Sequence, residues 1–135
     1  MLSPSLDTFR LFIHVVAASV WVGGQIAIAG VVGPVRAHDP SATRAVAYGF
    51  ARVAWPAFAL AVVTGIWSLL ETDVANTSSK YQATLMIKIL VVAFAGMFAA
   101  VHSMGKSKVA LAVGGAAGLV ASLLAMYLGV LLAGG

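Results

Sequence analysis

The chain of 135 residues is 61% hydrophobic and 9% charged, with a mean hydropathy of +1.03, which is more apolar surface than a soluble domain of this length can hide. Cysteine is absent, which excludes disulfides, thiolate ligands and thiol catalysis. The formal charge of +4 speaks to orientation in a membrane before it speaks to nucleic acid, because no basic run, zinc-finger spacing or glycine-rich phosphate loop accompanies it.

Charges and turn residues divide the chain into four apolar stretches. The first runs from Leu11 to Val35 and is closed by Gly33 and Pro34. It is too long for a signal peptide and lacks a basic leader, so no cleavage is expected. The polar segment RAHDPSATR follows. The second stretch runs from Val53 to Leu70 and ends at ETDVANTSSK. Pro56 falls in or near its first turn, where proline is tolerated. Thr64 and Gly65 either bend that helix, open space beside a cofactor, or pack closely. The third stretch runs from Ala83 to Val101 and is followed by HSMGKSK. The fourth runs from Val109 to Ala133. Each is long enough as a helix to cross a hydrocarbon core of ~30 Å at ~1.5 Å per residue, and helices satisfy every backbone group there. Short loops between them predict an all-α, integral membrane, up-down four-helix bundle, with residues 1–135 as a single four-span domain.

Arg36, Arg44, Arg52, Lys106 and Lys108 flank the two loops on one side, against Arg10 and Lys80 on the other. The positive-inside rule places the five in the cytoplasm and both termini outside a cytoplasmic membrane. The fourth span carries Gly114, Gly118 and Ser122 at four-residue steps, continued by Ala125 and Gly129. Such a stripe lets a helix approach closely, either within the chain or in another subunit.

Ionisable groups inside a bilayer are costly and invite a functional reading. His14 lies about one turn into the first span. Lys88 lies early in the third, which runs in the same direction, so the two are expected at one depth near the outer face, lining one pocket. Arg10, four residues before His14, and Trp21, seven after, share its helix face, and Gln25 continues it. An inward imidazole suits a metal or haem iron, and Arg10 suits a carboxylate such as a haem propionate. The plainer alternatives are a satisfied core histidine, a snorkelling Arg10, and a Lys88 that reaches the surface or pairs with Glu71. His102 lies ~21 Å along the axis from Lys88, at the opposite end. It is either a second metal ligand or an interfacial residue. His38 is expected to be solvated. Met86, Met97, Met104 and Met126 are scattered, without the clustering that a Cu(I) route needs, and are expected in the core. Trp21, Trp55 and Trp67 are either interfacial anchors or pocket walls. With four acidic residues and none well inside a span, paired-carboxylate, serine-hydrolase and protease chemistries lack parts.

The stretches HVVAASVWVGG, YGFARVAWPAFALAVVTGIWSL and LMIKILVVAFAGMFAAVH resemble the membrane domain of the copper resistance protein D (CopD-like) family, with its H-x6-W-x-G-G first helix, TG second helix and lysine early in the third. They are also similar to the related HemJ-type protoporphyrinogen oxidases, four-helix haem b proteins. The likeness covers about residues 10 to 105. In the HemJ-type group a first-helix histidine and a third-helix lysine are the functional pair, which here correspond to His14 and Lys88.

The resemblance implies copper handling, with His14 as the ligand. Its alternative is a haem b redox protein, with His14 as axial ligand, Arg10 serving a propionate and Lys88 handling a proton or substrate. A third reading is a ligand-free accessory subunit. The expected partners are membrane lipid and a second copy of the chain or a larger membrane complex; nucleic acid is not expected.

Overall fold

A computed structural model describes residues 3–135. Four long helices follow one another: α1 (Leu6–His38), α2 (Ala42–Glu71), α3 (Ser79–Met104) and α4 (Lys108–Gly134), with a single 3-10 turn at Val74–Asn76 before α3. No strand occurs among the described residues, so the all-α, four-helix class is as expected. Each helix is long and apolar enough to cross a membrane, which makes this a multi-pass membrane protein. The chain divides into two compact units, Met1–Thr72 and Asp73–Gly135. Each is an antiparallel helical hairpin.

The helices outrun the apolar stretches that announce them. At ~1.5 Å per residue α1 is ~50 Å long, several turns more than a bilayer core requires. It continues through Pro34 to His38, although Gly33 and Pro34 were expected to close it. Proline removes one N–H from the ladder but leaves the flanking turns to hold the helix. α2 begins at Ala42, not near Val53, so only residues 39–41 of the polar segment lie outside helices. Loss of apolarity does not end a helix: alanine and arginine are good helix formers, whereas Asp39 and Pro40 are breakers. Pro56 therefore stands in the interior of α2, not in its first turn.

The starts of α1, α3 and α4 share one device. The hydroxyls of Ser5, Ser78 and Ser107 accept hydrogen bonds from the backbone N–H of Thr8, Tyr81 and Ala110, satisfying donors that the helix itself leaves open. At the α1–α2 turn the acceptor is Asp39 instead. Its Oδ1 takes the Ser41 hydroxyl at 2.6 Å and the Ser41 N–H at 2.9 Å.

Burial is inverted relative to a soluble protein. Small or polar residues are hidden, among them Ala17, Ala54, Thr64, Ala95 and Ser122, while Leu60, Val63, Ile66, Phe94 and Val120 face outward. Met86, Met97 and Met104 are exposed as well, so the core position expected for them does not hold. Lipid is as apolar as leucine, and only close packing or a hydrogen bond rewards the interior.

In the second hairpin α4 turns its small-residue stripe to α3 of the same chain. A Cβ on Gly114 would stand 2.9 Å from the backbone nitrogen of His102 and 3.0 Å from the Phe98 carbonyl oxygen; one on Gly118 would stand 3.6 Å from the Ala99 nitrogen. The stripe is thus the seam of this hairpin.

Two outcomes follow. Gly114→Ala forces the α3 and α4 backbones apart and should cost about 1–3 kcal/mol, read as a lowered Tm in detergent, while Gly30→Ala, with nothing near its added methyl, should not lower it. Both Ser41 hydrogen bonds, the side-chain one foremost, favour ionised Asp39 and hold its pKa below the ordinary carboxylate value. Their contribution is present above that ordinary value and fades as pH falls through the lowered one. A carboxyl 13C titration should place the Asp39 midpoint below that of a free aspartate, and Ser41→Ala should raise it.

Candidate functional site

The first hairpin meets along one seam of α1. Arg10, His14, Ala17, Trp21 and Gly24 recur at steps of four and three residues, the spacing that keeps one helix face toward a partner. Against them, running the opposite way, α2 sets Trp67, Thr64 with Gly65, Phe58 with Trp55, and Phe50. The expected common face of Arg10, His14 and Trp21 is this inter-helix face.

His14 is the centre of the seam. Its Nδ1 lies 2.9 Å from Thr64 Oγ1. Thr64 is 3% exposed, and its hydroxyl donates backward to the Leu60 carbonyl at 2.7 Å, with the Ala61 carbonyl at 3.1 Å. A threonine hydroxyl has one proton and a carbonyl only accepts. Since that proton goes to the helix backbone, Oγ1 must accept from His14, whose Nδ1 therefore bears hydrogen. In the neutral ring the lone pair then resides on Nε2, the nitrogen a metal would take. Gly65 accommodates the ring: a Cβ there would touch His14 Cε1 at 3.4 Å, so a larger side chain would displace it.

One turn toward the N-terminus, Arg10 pairs with Asp7 at 2.9 Å and lies over the Trp67 ring, 5.7 Å from its centroid. Its side chain is 13% exposed, whereas that of Asp7 is 75% exposed, so it is folded into the hairpin, not snorkelling. Arg10 Nε is buried and, among the described residues, meets no acceptor. That orphaned donor is unusual, because a buried polar atom normally has a partner. Trp67 is tethered by its Nε1–H to Glu71 at 3.4 Å.

Two turns the other way from His14, Trp21 packs on Phe58 at 4.5 Å and Trp55 at 5.6 Å between ring centroids. Trp21 and Trp55 are walls of the hairpin interior, which resolves for them the choice between wall and interfacial anchor. Gly24 makes room at the far end, where a Cβ would collide with the Phe50 ring at 2.6 Å.

Lys88 and His102 belong to the second hairpin. The Lys88 ammonium rests against α4 at Gly129, where a Cβ would lie 3.1 Å from Nζ. His102 stands in the last turn of α3, is exposed, and donates through Nδ1 to the Leu111 carbonyl at 2.7 Å, tying α3 to the start of α4. His38 is exposed in the last turn of α1, as expected. Among the described residues, no group of three or more His, Asp or Glu could hold a metal ion. Thr64 is the residue whose role the sequence left undefined; its signal was a polar residue in an apolar span, twelve residues after Arg52.

Trp21→Ala removes the ring that Trp55 and Phe58 pack against and should destabilise the protein by about 3–5 kcal/mol in a denaturant titration, with Trp67→Ala, at 37% exposure, costing clearly less. Comparison with known protein families, with characterised proteins and with solved structures finds no match to this chain.

Proposed function

We propose that the protein is a haem b-binding membrane redox protein, in which His14 Nε2 would hold the haem iron. The observation that carries this reading is the fixed hydrogen-bond direction from His14 through Thr64 to Leu60, which keeps the ligating lone pair on Nε2 while the other nitrogen is held by the protein. Metal-ligating histidines are characteristically anchored in this way. Haem iron needs only one or two protein ligands, so a single imidazole suffices. The unsatisfied Nε of Arg10, one turn away, suits a propionate carboxylate, and the exposed Asp7 is a partner that a buried carboxylate can replace. Haem b supplies one-electron chemistry. His14 would hold and orient the group, Arg10 would neutralise an acid substituent, and the packed Trp21, Trp55 and Phe58 rings would keep water out of the hairpin interior. Lys88 carries the role that the resemblance implies, handling a proton or the substrate.

Copper handling is the competing use of the same imidazole. It fits less well, because Cu(I) seeks several soft ligands, and the exposed Met86, Met97 and Met104 are directed away from the hairpin interiors. The chain is placed in a cytoplasmic membrane with both termini outside. Support comes from the exposed Arg36, Arg44, Lys106 and Lys108 at the two hairpin turns, since positive residues stay on the cytoplasmic side.

Protein purified from membranes and supplied with haem b should show a Soret band that His14→Ala abolishes. Bound copper without that band would transfer His14 to copper handling. Neither ligand, with a large partner co-purifying, would leave the accessory-subunit reading in its place.

A further inference from the structure

We infer that Thr64 is a positioning residue that sets the tautomer and the ring plane of His14. Thr64 Oγ1 lies 2.7 Å from the Leu60 carbonyl oxygen and 2.9 Å from His14 Nδ1. The carbonyl can only accept, so it fixes the single hydroxyl proton on its own side, and the chain of bonds can run in one direction only: Nδ1–H to Oγ1, and Oγ1–H to Leu60. At 3% exposure no water competes for the hydroxyl, and in hydrocarbon an unmade bond would be expensive. The β-branched side chain has few rotamers in a helix, and the backward bond to Leu60 selects one of them. Gly65 completes the arrangement, since its missing side chain lets the ring lie against α2, with Cε1 3.4 Å from where a Cβ would be. Neither Val nor Ala at position 64 could do this. Valine matches the shape and lacks the donor and acceptor; serine keeps both.

The consequence for binding rests on the haem reading. An imidazole whose Nδ1–H is held presents Nε2 in one orientation, and losing such a partner typically weakens a metal site by about 10–100-fold. The tautomer itself is independent of that reading, and so is its test.

The experiment uses the full-length protein in lipid bilayers, labelled with 15N at histidine. The His14 ring signals are those lost in His14→Gln. Without any ligand, the wild type and Thr64→Ser should show hydrogen on Nδ1 and an unprotonated Nε2, whereas Thr64→Val should move the proton wholly or partly to Nε2. An Nδ1–H that persists unchanged in Thr64→Val, or a wild type with hydrogen on Nε2 alone, overturns the inference. Ferric haem b titrated into the same proteins should bind at least about tenfold more weakly to Thr64→Val, with Thr64→Ser near wild type. The expected tautomer shift in Thr64→Val, together with a wild type that binds no haem, sinks the haem assignment and supports Thr64 as the residue that orients His14. Wild-type haem affinity in Thr64→Val, with the tautomer shifted, overturns the positioning of the ligand by Thr64.

Discussion

In hydrocarbon an imidazole has no water to bond, and the 2.9 Å hydrogen bond from His14 to Thr64 is what allows one to sit between two membrane helices. It also fixes their register. With His14 against Thr64, the antiparallel run of α1 and α2 brings Arg10 to Trp67 and Trp21 to Phe58 and Trp55. A slip of one residue would part the ring nitrogen from the Thr64 hydroxyl and the guanidinium from the Trp67 ring. Polar atoms thus do in this hairpin what apolar burial does in a soluble core: they make one alignment better than its neighbours.

The two hairpins use their interiors differently. α3 and α4 approach through Gly114 and Gly118 until backbone nearly meets backbone, and Ser122 returns its hydroxyl to its own helix at Gly118. That seam is tight and chemically plain. The seam of α1 and α2 is lined by aromatic rings, an imidazole and a guanidinium, with glycine at positions 24 and 65 where Phe50 and His14 lie close. Among the described residues, the buried side-chain atoms without a hydrogen-bond partner, Arg10 Nε and Thr43 Oγ1, both belong to the first hairpin.

Much of this was legible in the sequence. Four apolar stretches identify four helices, because the bilayer leaves the backbone no other open-chain solution. The helix ends were less legible: hydropathy marks what lipid can tolerate, whereas Asp39, Pro40 and Ser107 mark where hydrogen bonding changes hands, and α2 runs eleven residues beyond its apolar part. The common face of Arg10, His14 and Trp21 follows from helical periodicity. What meets that face does not, because the register of α2 against α1 is a property of packing between helices. Thr64 could be seen as a polar residue in an apolar span, yet only the register makes it the partner of His14. The small-residue stripe showed that α4 packs closely without naming α3 as what it packs on.

The most direct test is a solid-state NMR measurement of dipolar contact between the labelled His14 ring nitrogens and the Thr64 side chain in lipid bilayers. The account predicts that Nδ1 is in direct contact with Thr64, as the 2.9 Å separation requires, and that Nε2 is the more distant of the two. A ring with no contact to Thr64, or one whose nitrogens couple to acyl chains instead, would contradict it.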